Sequence, residues 1–316
     1  MNSANCLAET VAPRARDWRD DLAETLSPGS LLRLDEALSR HTTLRVGGPA
    51  DLYVEPASEE DLGIILKFCA ERDRAFLLLG RGSNLLVRDG GFRGVVICLA
   101  QPVFGRIAVE GERLRCGAGA KLKHVAVEAR KSGLAGMEFL EGIPGSLGGG
   151  LRMNAGAMGG ALFDVVESVR LMDFQGETSD CAASQLDAEY RACPALRARI
   201  ALAAVLRGRP DSQESIAQRM IAFSRKRWSS QPAAPSAGCM FKNPASIPAG
   251  RLIDELGLKG THVGGARVST EHGNFIVNSG AATAREVLEL MELLRERARR
   301  ERGIELQTEV EIVGED

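Results

Sequence analysis

The chain has 316 residues, 44% of them hydrophobic and 26% charged, enough for two or three domains around a large core. A formal net charge of −2 and an aromatic content of 4% offer neither a basic field nor base-stacking platforms for nucleic acid. Seven scattered cysteines without a CxxC pair, and four histidines at no metal-ligand spacing, lead us to expect reduced thiols and no bound metal. No apolar signal region or membrane-length run is present, so a soluble, cytoplasmic protein is expected.

Residues 1–40 read as helical fragments at the periphery. HTTLRVGGPADLYVEP (His41–Pro56) reads as strand, Gly-Gly-Pro turn, strand. Ser58 with Asp61 opens a helix to about Asp73 that buries Leu62, Ile65, Leu66 and Cys69. Phe76–Leu79, Leu85–Val87 and Val95–Leu99 read as strands around the breaker Gly80-Arg81-Gly82-Ser83-Asn84 and the turn Asp89-Gly90-Gly91. Gly80 and Gly82 begin a GxGxxG pattern, but Leu85 replaces the third glycine. The residues from Leu85 onward are β-like, so the context of a Rossmann fingerprint is absent. A hairpin turning at Glu110-Gly111 precedes a helix from Lys121 to Ser132, stopped by Gly133.

The segment Gly133–Gly160, about one-third glycine, is the most informative in the chain. Met137, Phe139, Leu140, Ile143, Pro144, Leu147 and Met153 give it too much to bury for a flexible linker. The three-residue glycine period of collagen is missing. Ordered backbone remains, presenting N–H groups to an anion such as a cofactor diphosphate, with tight turns between strands as the plain alternative. Ser83, Asn84, Ser146 and Asn154 add small donors to the two glycine-rich loops.

From Val165 to Gly208 short strands alternate with turns, one at Gln175-Gly176. A helix comes next, from about Ser212 to Trp228, and Gln231–Pro235 looks like a boundary. Pro248 stands near the start of a helix through Leu256, and VGGARVS and NFIVNSG are strand-like. Thr283 with Glu286 caps a long amphipathic helix ending at Gly303. IELQTEVEIVG closes the chain as an alternating strand. The pattern indicates an α+β fold class.

Five motifs, TTLRVGGPADLYVEP, LGRGSNLLVRDGGFRGVV, GMEFLEGIPGSLGG with MNAGA, SAGCMFKNP and the terminal TEVEIVG, occur in one order over roughly residues 40–314. In this the chain resembles the UDP-N-acetylenolpyruvoylglucosamine reductase family, also called UDP-N-acetylmuramate dehydrogenases. The resemblance implies a peripheral segment at 1–40 and an FAD-binding domain of the vanillyl-alcohol-oxidase (PCMH) type at 41–210. A C-terminal α+β substrate domain at 211–316 would then carry a catalytic glutamate on its last strand. It further implies bound FAD, NADPH as co-substrate in the same cleft, a UDP-sugar substrate and a place in peptidoglycan precursor synthesis. A monomer or weak oligomer is expected. FAD contacts would come from Gly80, Arg81, Gly82, Ser83 and Asn84, and from Gly142, Ile143, Pro144, Gly145, Ser146, Gly148, Asn154, Ala155 and Gly156. Substrate contacts would come from Tyr190, Lys242 and Asn243.

The family's substrate is an enol ether of pyruvate. Hydride adds to its methylene carbon, and charge then develops on the carbon beside the carboxylate. Such chemistry needs cations at the carboxylate and a positioned acid for that carbon. The resemblance assigns the guanidinium to Arg191 (EYRACPAL), the proton donor to Cys239 (SAGCMFKNP), where the family usually has serine, and the assisting carboxylate to Glu309. Taken singly, Arg191 reads as well as a surface arginine, Cys239 as a small buried residue and Glu309 as a solvent-facing carboxylate. Cys193 and Ala195 also depart from the family's YRxSxF pattern, which suggests altered packing beside Arg191. A free thiol, with a pKa of about 8.5, yields its proton more readily than an alcohol. The readings set against this one are another flavin oxidase or dehydrogenase with the same cofactor domain, and a non-catalytic nucleotide- or sugar-binding protein.

Overall fold

The computed structural model describes residues 17–316; the sixteen residues before them, with Cys6, lie outside the described part. Among the described residues, three sheets of four or five strands, three two-stranded ones and seven α-helices carry the fold, the helices burying apolar side chains. Of the expected peripheral segment 1–40, the described part, residues 17–40, is integrated into the fold. Helix α1 (Trp18–Thr25) places Leu22 in a core with Leu62, Ile65 and Leu66, and Leu31–Ala37 is the edge strand of the first sheet.

That sheet runs in the order Leu31–Ala37, Pro49–Glu55, Phe92–Cys98, Phe76–Leu79. The first pairing is antiparallel and the next two are parallel. Parallel strands need a crossover, and α2 (Glu59–Glu71) carries the chain from Pro49–Glu55 to Phe76–Leu79, two places along the sheet. Ser58 caps it by accepting from the Asp61 N–H, while the Asp61 carboxylate turns to Ser27 and Ser30. The strand expected over 41–46 is a loop. Thr42 Oγ1 donates to the Val46 carbonyl and accepts the Val46 N–H, and Arg45 takes a left-handed φ of 57°, which no strand tolerates.

The second sheet is wholly antiparallel, in the order Thr178–Ala182, Val166–Asp173, Arg199–Arg207, Arg113–Gly117, Ile107–Glu110. Against it pack α3 (Leu122–Lys131), the short α4 (Leu147–Arg152) and α5 (Gln213–Trp228). Helix α4 stands where only glycine-rich loop was expected. Gly148 and Gly150 let it lie close, since a Cβ on them would meet Ala118 and Leu122 at 3.1 and 3.2 Å. The boundary drawn at residue 210 precedes α5, yet Ile216 and Met220 of that helix belong to the second sheet's core.

The C-terminal unit pairs Ser236–Cys239, Phe275–Asn278, Ala266–Val268 and His262–Val263, covered by α6 (Ala249–Glu255) and α7 (Ala284–Arg302). Thr283 and Glu286 form the expected reciprocal capping box of α7. The terminal alternating strand shrinks to Glu311–Val313, which leaves this unit and pairs in parallel with Leu85–Val87 of the first. Residues 304–310 are pinned instead by the Arg295 guanidinium, which donates to the Leu306 carbonyl and Thr308 Oγ1.

Two glycines give a graded stability test. Gly303 ends α7 at φ 65° with open space around an added Cβ, so Gly303→Ala should cost only the left-handed strain of about 1–2 kcal/mol. Gly82 has φ 56°, and a Cβ there would stand 2.4 Å from the His41 carbonyl oxygen, so Gly82→Ala should cost clearly more. Urea unfolding of both variants measures the difference; equal losses would mean that the His41 contact yields freely.

Candidate active site

The units meet along a cleft of about 1300 Å³. Its floor is the loop Gly80–Asn84 facing Ile143–Ser146, with Gly148, Ala155 and Gly156 beside them. Ser83 Oγ donates to the Pro144 carbonyl at 2.6 Å and ties the loops together. Gly80 passes close enough that a Cβ would lie 2.9 Å from Ser146 Oγ. The N–H groups of Arg81, Gly82, Ser83 and Asn84 donate to no backbone carbonyl among the described residues. Free N–H groups on one concave wall form an anion nest, which fits a dinucleotide diphosphate.

Nine basic residues line the cleft (Arg40, Arg74, Arg81, Lys121, Arg152, Arg191, Arg197, Arg199 and Arg227) against three carboxylates, Glu55, Glu309 and Glu311. The near-neutral chain therefore concentrates positive charge on one surface, as an anionic ligand requires.

Arg191, Cys239 and Glu309 converge on this wall. Arg191 sits in a loop at φ 59°, a left-handed conformation that costs about 1–3 kcal/mol in a residue with a side chain. Its Nη1 donates to the Gly156 carbonyl at 3.2 Å. Its Nε lies 3.1 Å from Glu309 Oε1, but the N–H is not aligned with that oxygen, so the contact is an ion pair and not a hydrogen bond. A buried guanidinium N–H is left without an aligned acceptor, compensated only by the charge of Glu309 beside it.

Glu309 is placed by its backbone. Its N–H donates to the Met240 carbonyl at 2.8 Å, and its own carbonyl accepts from Asn84 Nδ2 at 3.2 Å. Burial raises its pKa above the ordinary carboxylate value, partly offset by Arg191 and Lys242. Cys239 ends its strand after Gly238, whose φ of 77° makes the turn. Burial and the neighbouring Glu309 push its thiol up to about 11, against the pull of Arg191 and Arg227. The thiol is thus a firmer acid store than the sequence suggested, and stays protonated across the neutral range.

Other expected residues lie elsewhere. Gly142 is off the cleft wall, packed against the Arg227 stem. Asn154, at φ 37°, spends its side chain on the Glu189 carbonyl and the Phe163 N–H, and lines a smaller hollow of about 310 Å³. Tyr190 faces that hollow too, 69% exposed, with the Arg191 guanidinium 5.3 Å above its ring. Lys242 is exposed and reaches Glu309 only through its charge. Asn243 Oδ1 accepts the Ala249 N–H and so serves the start of α6. Cys193, 2% exposed, is core, its thiol directed at the Leu186 carbonyl.

Sequence reasoning missed Arg227. Burial disfavours its charge, and the Cys239 sulfur is the neighbour that favours it. The signal was present: Ile216, Met220, Phe223 and Arg227 lie on one helical stripe, so the arginine occupies a core-facing position. Among the described residues no group of His, Cys, Asp and Glu could hold a metal, and no helix is long and apolar enough to cross a membrane.

Comparison with known proteins agrees with this geometry. The FAD binding domain family matches residues 50–182, and the UDP-N-acetylenolpyruvoylglucosamine reductase C-terminal domain family matches residues 231–313. The reductase of that name from Geobacter metallireducens is 45% identical over 289 residues, 91% of this chain and 95% of its own. The chain belongs to the UDP-N-acetylenolpyruvoylglucosamine reductase family. The Moorella thermoacetica reductase is 41% identical over 93% of this chain and 98% of its own. The crystal structure of the Thermus caldophilus reductase superposes with a TM-score of 0.79 at 38% identity, covering 90% of this chain and 100% of that one. The fold class is accordingly α+β, with an FAD-binding domain followed by the reductase C-terminal domain.

Proposed function

We propose that the cleft reduces the enolpyruvyl ether of UDP-N-acetylglucosamine to UDP-N-acetylmuramate, with NADPH as the reductant, in cytoplasmic peptidoglycan precursor synthesis. The observation that carries the proposal is the convergence of Arg191, Glu309 and Cys239 in the cleft that also holds the free N–H groups of Arg81–Asn84. When bound, FAD supplies the hydride; the Gly80–Asn84 and Ile143–Ser146 loops would hold it through backbone N–H groups and a close glycine approach. The Arg191 guanidinium, held by Glu309 and the Gly156 carbonyl, receives the substrate carboxylate and stabilises the charge that develops there. Glu309, kept beside Arg191 by its backbone, orients the guanidinium and assists the enolic species. The Cys239 S–H bond breaks as a C–H bond forms at the carbon next to the carboxylate, and the thiolate is left between Arg191 and Arg227 until solvent reprotonates it. Arg227 adds a second cation for the phosphates or carboxylate of the ligands.

Anaerobic half-reactions test this reading. NADPH should bleach the flavin of the purified protein, and UDP-N-acetylglucosamine enolpyruvate should restore its absorbance with release of UDP-N-acetylmuramate. Bleaching without restoration would favour a flavin enzyme of different substrate; colourless protein that takes up no FAD would favour a binding module. The FAD placement has its own test. A Cβ on Gly145 would stand 3.6 Å from Leu122 and 3.7 Å from Ser83, ordinary contacts that the protein itself accommodates. Gly145→Val should therefore fold, by circular dichroism, yet bind FAD at least about tenfold more weakly, some 1.4 kcal/mol. Full flavin occupancy would move the cofactor away from this loop.

A further inference from the structure

Asn274 is 2% exposed, and no step of the proposed reaction uses it. It stands at the head of the strand Phe275–Asn278, just past the Cys239–Phe275 pair that ends the ladder with Ser236–Cys239. Its side chain extends that ladder. Oδ1 accepts the Phe241 N–H at 2.9 Å and Nδ2 donates to the Phe241 carbonyl at 2.7 Å, while its backbone carbonyl accepts the Met240 N–H at 2.9 Å. On the opposite edge of the same three residues, the Met240 carbonyl accepts the Glu309 N–H, and the Lys242 N–H donates to the Gln307 carbonyl, both at 2.8 Å. The segment after Cys239 is thus clamped between Asn274 and the chain that carries Glu309. Behind the clamp, His272 Nδ1 accepts the Asn274 N–H at 3.1 Å and its ring packs on Phe275.

We propose that Asn274 is a positioning residue, which holds the Cys239 sulfur in register with Glu309 and donates to that sulfur once its proton has left. A carboxamide has two N–H bonds; one serves the Phe241 carbonyl, and the second remains for the neighbouring sulfur, where donation favours the thiolate. The charged groups facing the sulfur are Glu309, Arg191 and Arg227, so Asn274 is the neutral member of the set. Neutrality suits the role, because it helps the thiolate without drawing the proton away before the carbon is ready. The proposal rests on Cys239 being the acid, and the test separates the two.

Holoenzyme reduced anaerobically with NADPH is mixed with UDP-N-acetylglucosamine enolpyruvate, with brief pH jumps between neutral and strongly alkaline. In Asn274→Ala, flavin reduction should stay within about threefold of wild type and reoxidation should slow at least about tenfold. The alkaline limb of reoxidation should move to higher pH, because the thiolate has lost a donor. Added to Cys239→Ala, the same change should slow reoxidation by less than about threefold, the non-additivity expected of groups that act as a unit. An equal factor in both backgrounds, or equal loss in both half-reactions with an unmoved limb, overturns the proposal. If Asn274→Ala fails to retain FAD, Asn274→Asp, which keeps the acceptor for the Phe241 N–H, is read by the same criteria. Wild-type reoxidation in Cys239→Ala alone sinks the assignment of the acid itself, and the proposal with it.

Discussion

Cys239→Ala should still bind FAD and be reduced by NADPH, yet its flavin should be reoxidised by substrate about 10²–10⁴-fold more slowly, the loss typical of a missing general acid. The half-reactions divide because only the second needs a proton delivered to carbon. Cys239→Ser should retain substantial activity, since a hydroxyl restores the family's usual donor at that site. The pH dependence carries a definite sign. Cys239 works in its protonated form, so activity persists below the thiol's folded pKa and falls as pH rises through it. An ordinary thiol would put that limb near pH 8–9. Burial and Glu309 push this one up to about 11, so the limb belongs at strongly alkaline pH and should vanish from the same range in Cys239→Ser. Wild-type turnover by Cys239→Ala in stopped-flow reoxidation would reduce the thiol to packing and hand the proton to water or another group.

Arg191→Lys should slow reoxidation by about 10²–10³-fold, the usual cost of one lost donor at a developing anion, while reduction by NADPH suffers far less. Lysine keeps the charge but lacks the planar fork, and its amine cannot occupy both the place beside Glu309 and the place beside the Gly156 carbonyl. The substitution does not relieve the left-handed backbone at this position, so folding stability should barely change. Equal loss in both half-reactions would give Arg191 a general role in binding or folding.

Elements with local causes were legible from the residues alone. Ser58 and Thr283 announce α2 and α7 because a cap is a contact within one turn. Gly133 and Gly303 announce helix ends because the left-handed φ they adopt suits glycine. The 41–46 and 304–310 segments failed because side chains divert their backbones from a ladder. Thr42 bonds to both backbone groups of Val46 in the first, and Arg295 holds Leu306 and Thr308 in the second. The placement of Leu31–Ala37 failed likewise, since an edge strand is decided by the neighbour it meets.

The sequence by itself determined the family, the absence of a Rossmann turn, the two glycine-rich loops and the three residue types proposed for the chemistry. Order along a chain is enough to reveal motifs of that kind. Only the tertiary structure decided that Arg191, Cys239 and Glu309 share one wall, that Arg227 joins them, and that Gly142, Lys242 and Asn243 stand apart. It also decided the electrostatics: a chain of net charge −2 gathers nine basic residues around one cleft and raises a thiol's pKa by burying it next to a carboxylate. Charge and acidity depend on which groups lie within a few ångströms and on how much water is excluded between them, and neither is written in the order of residues.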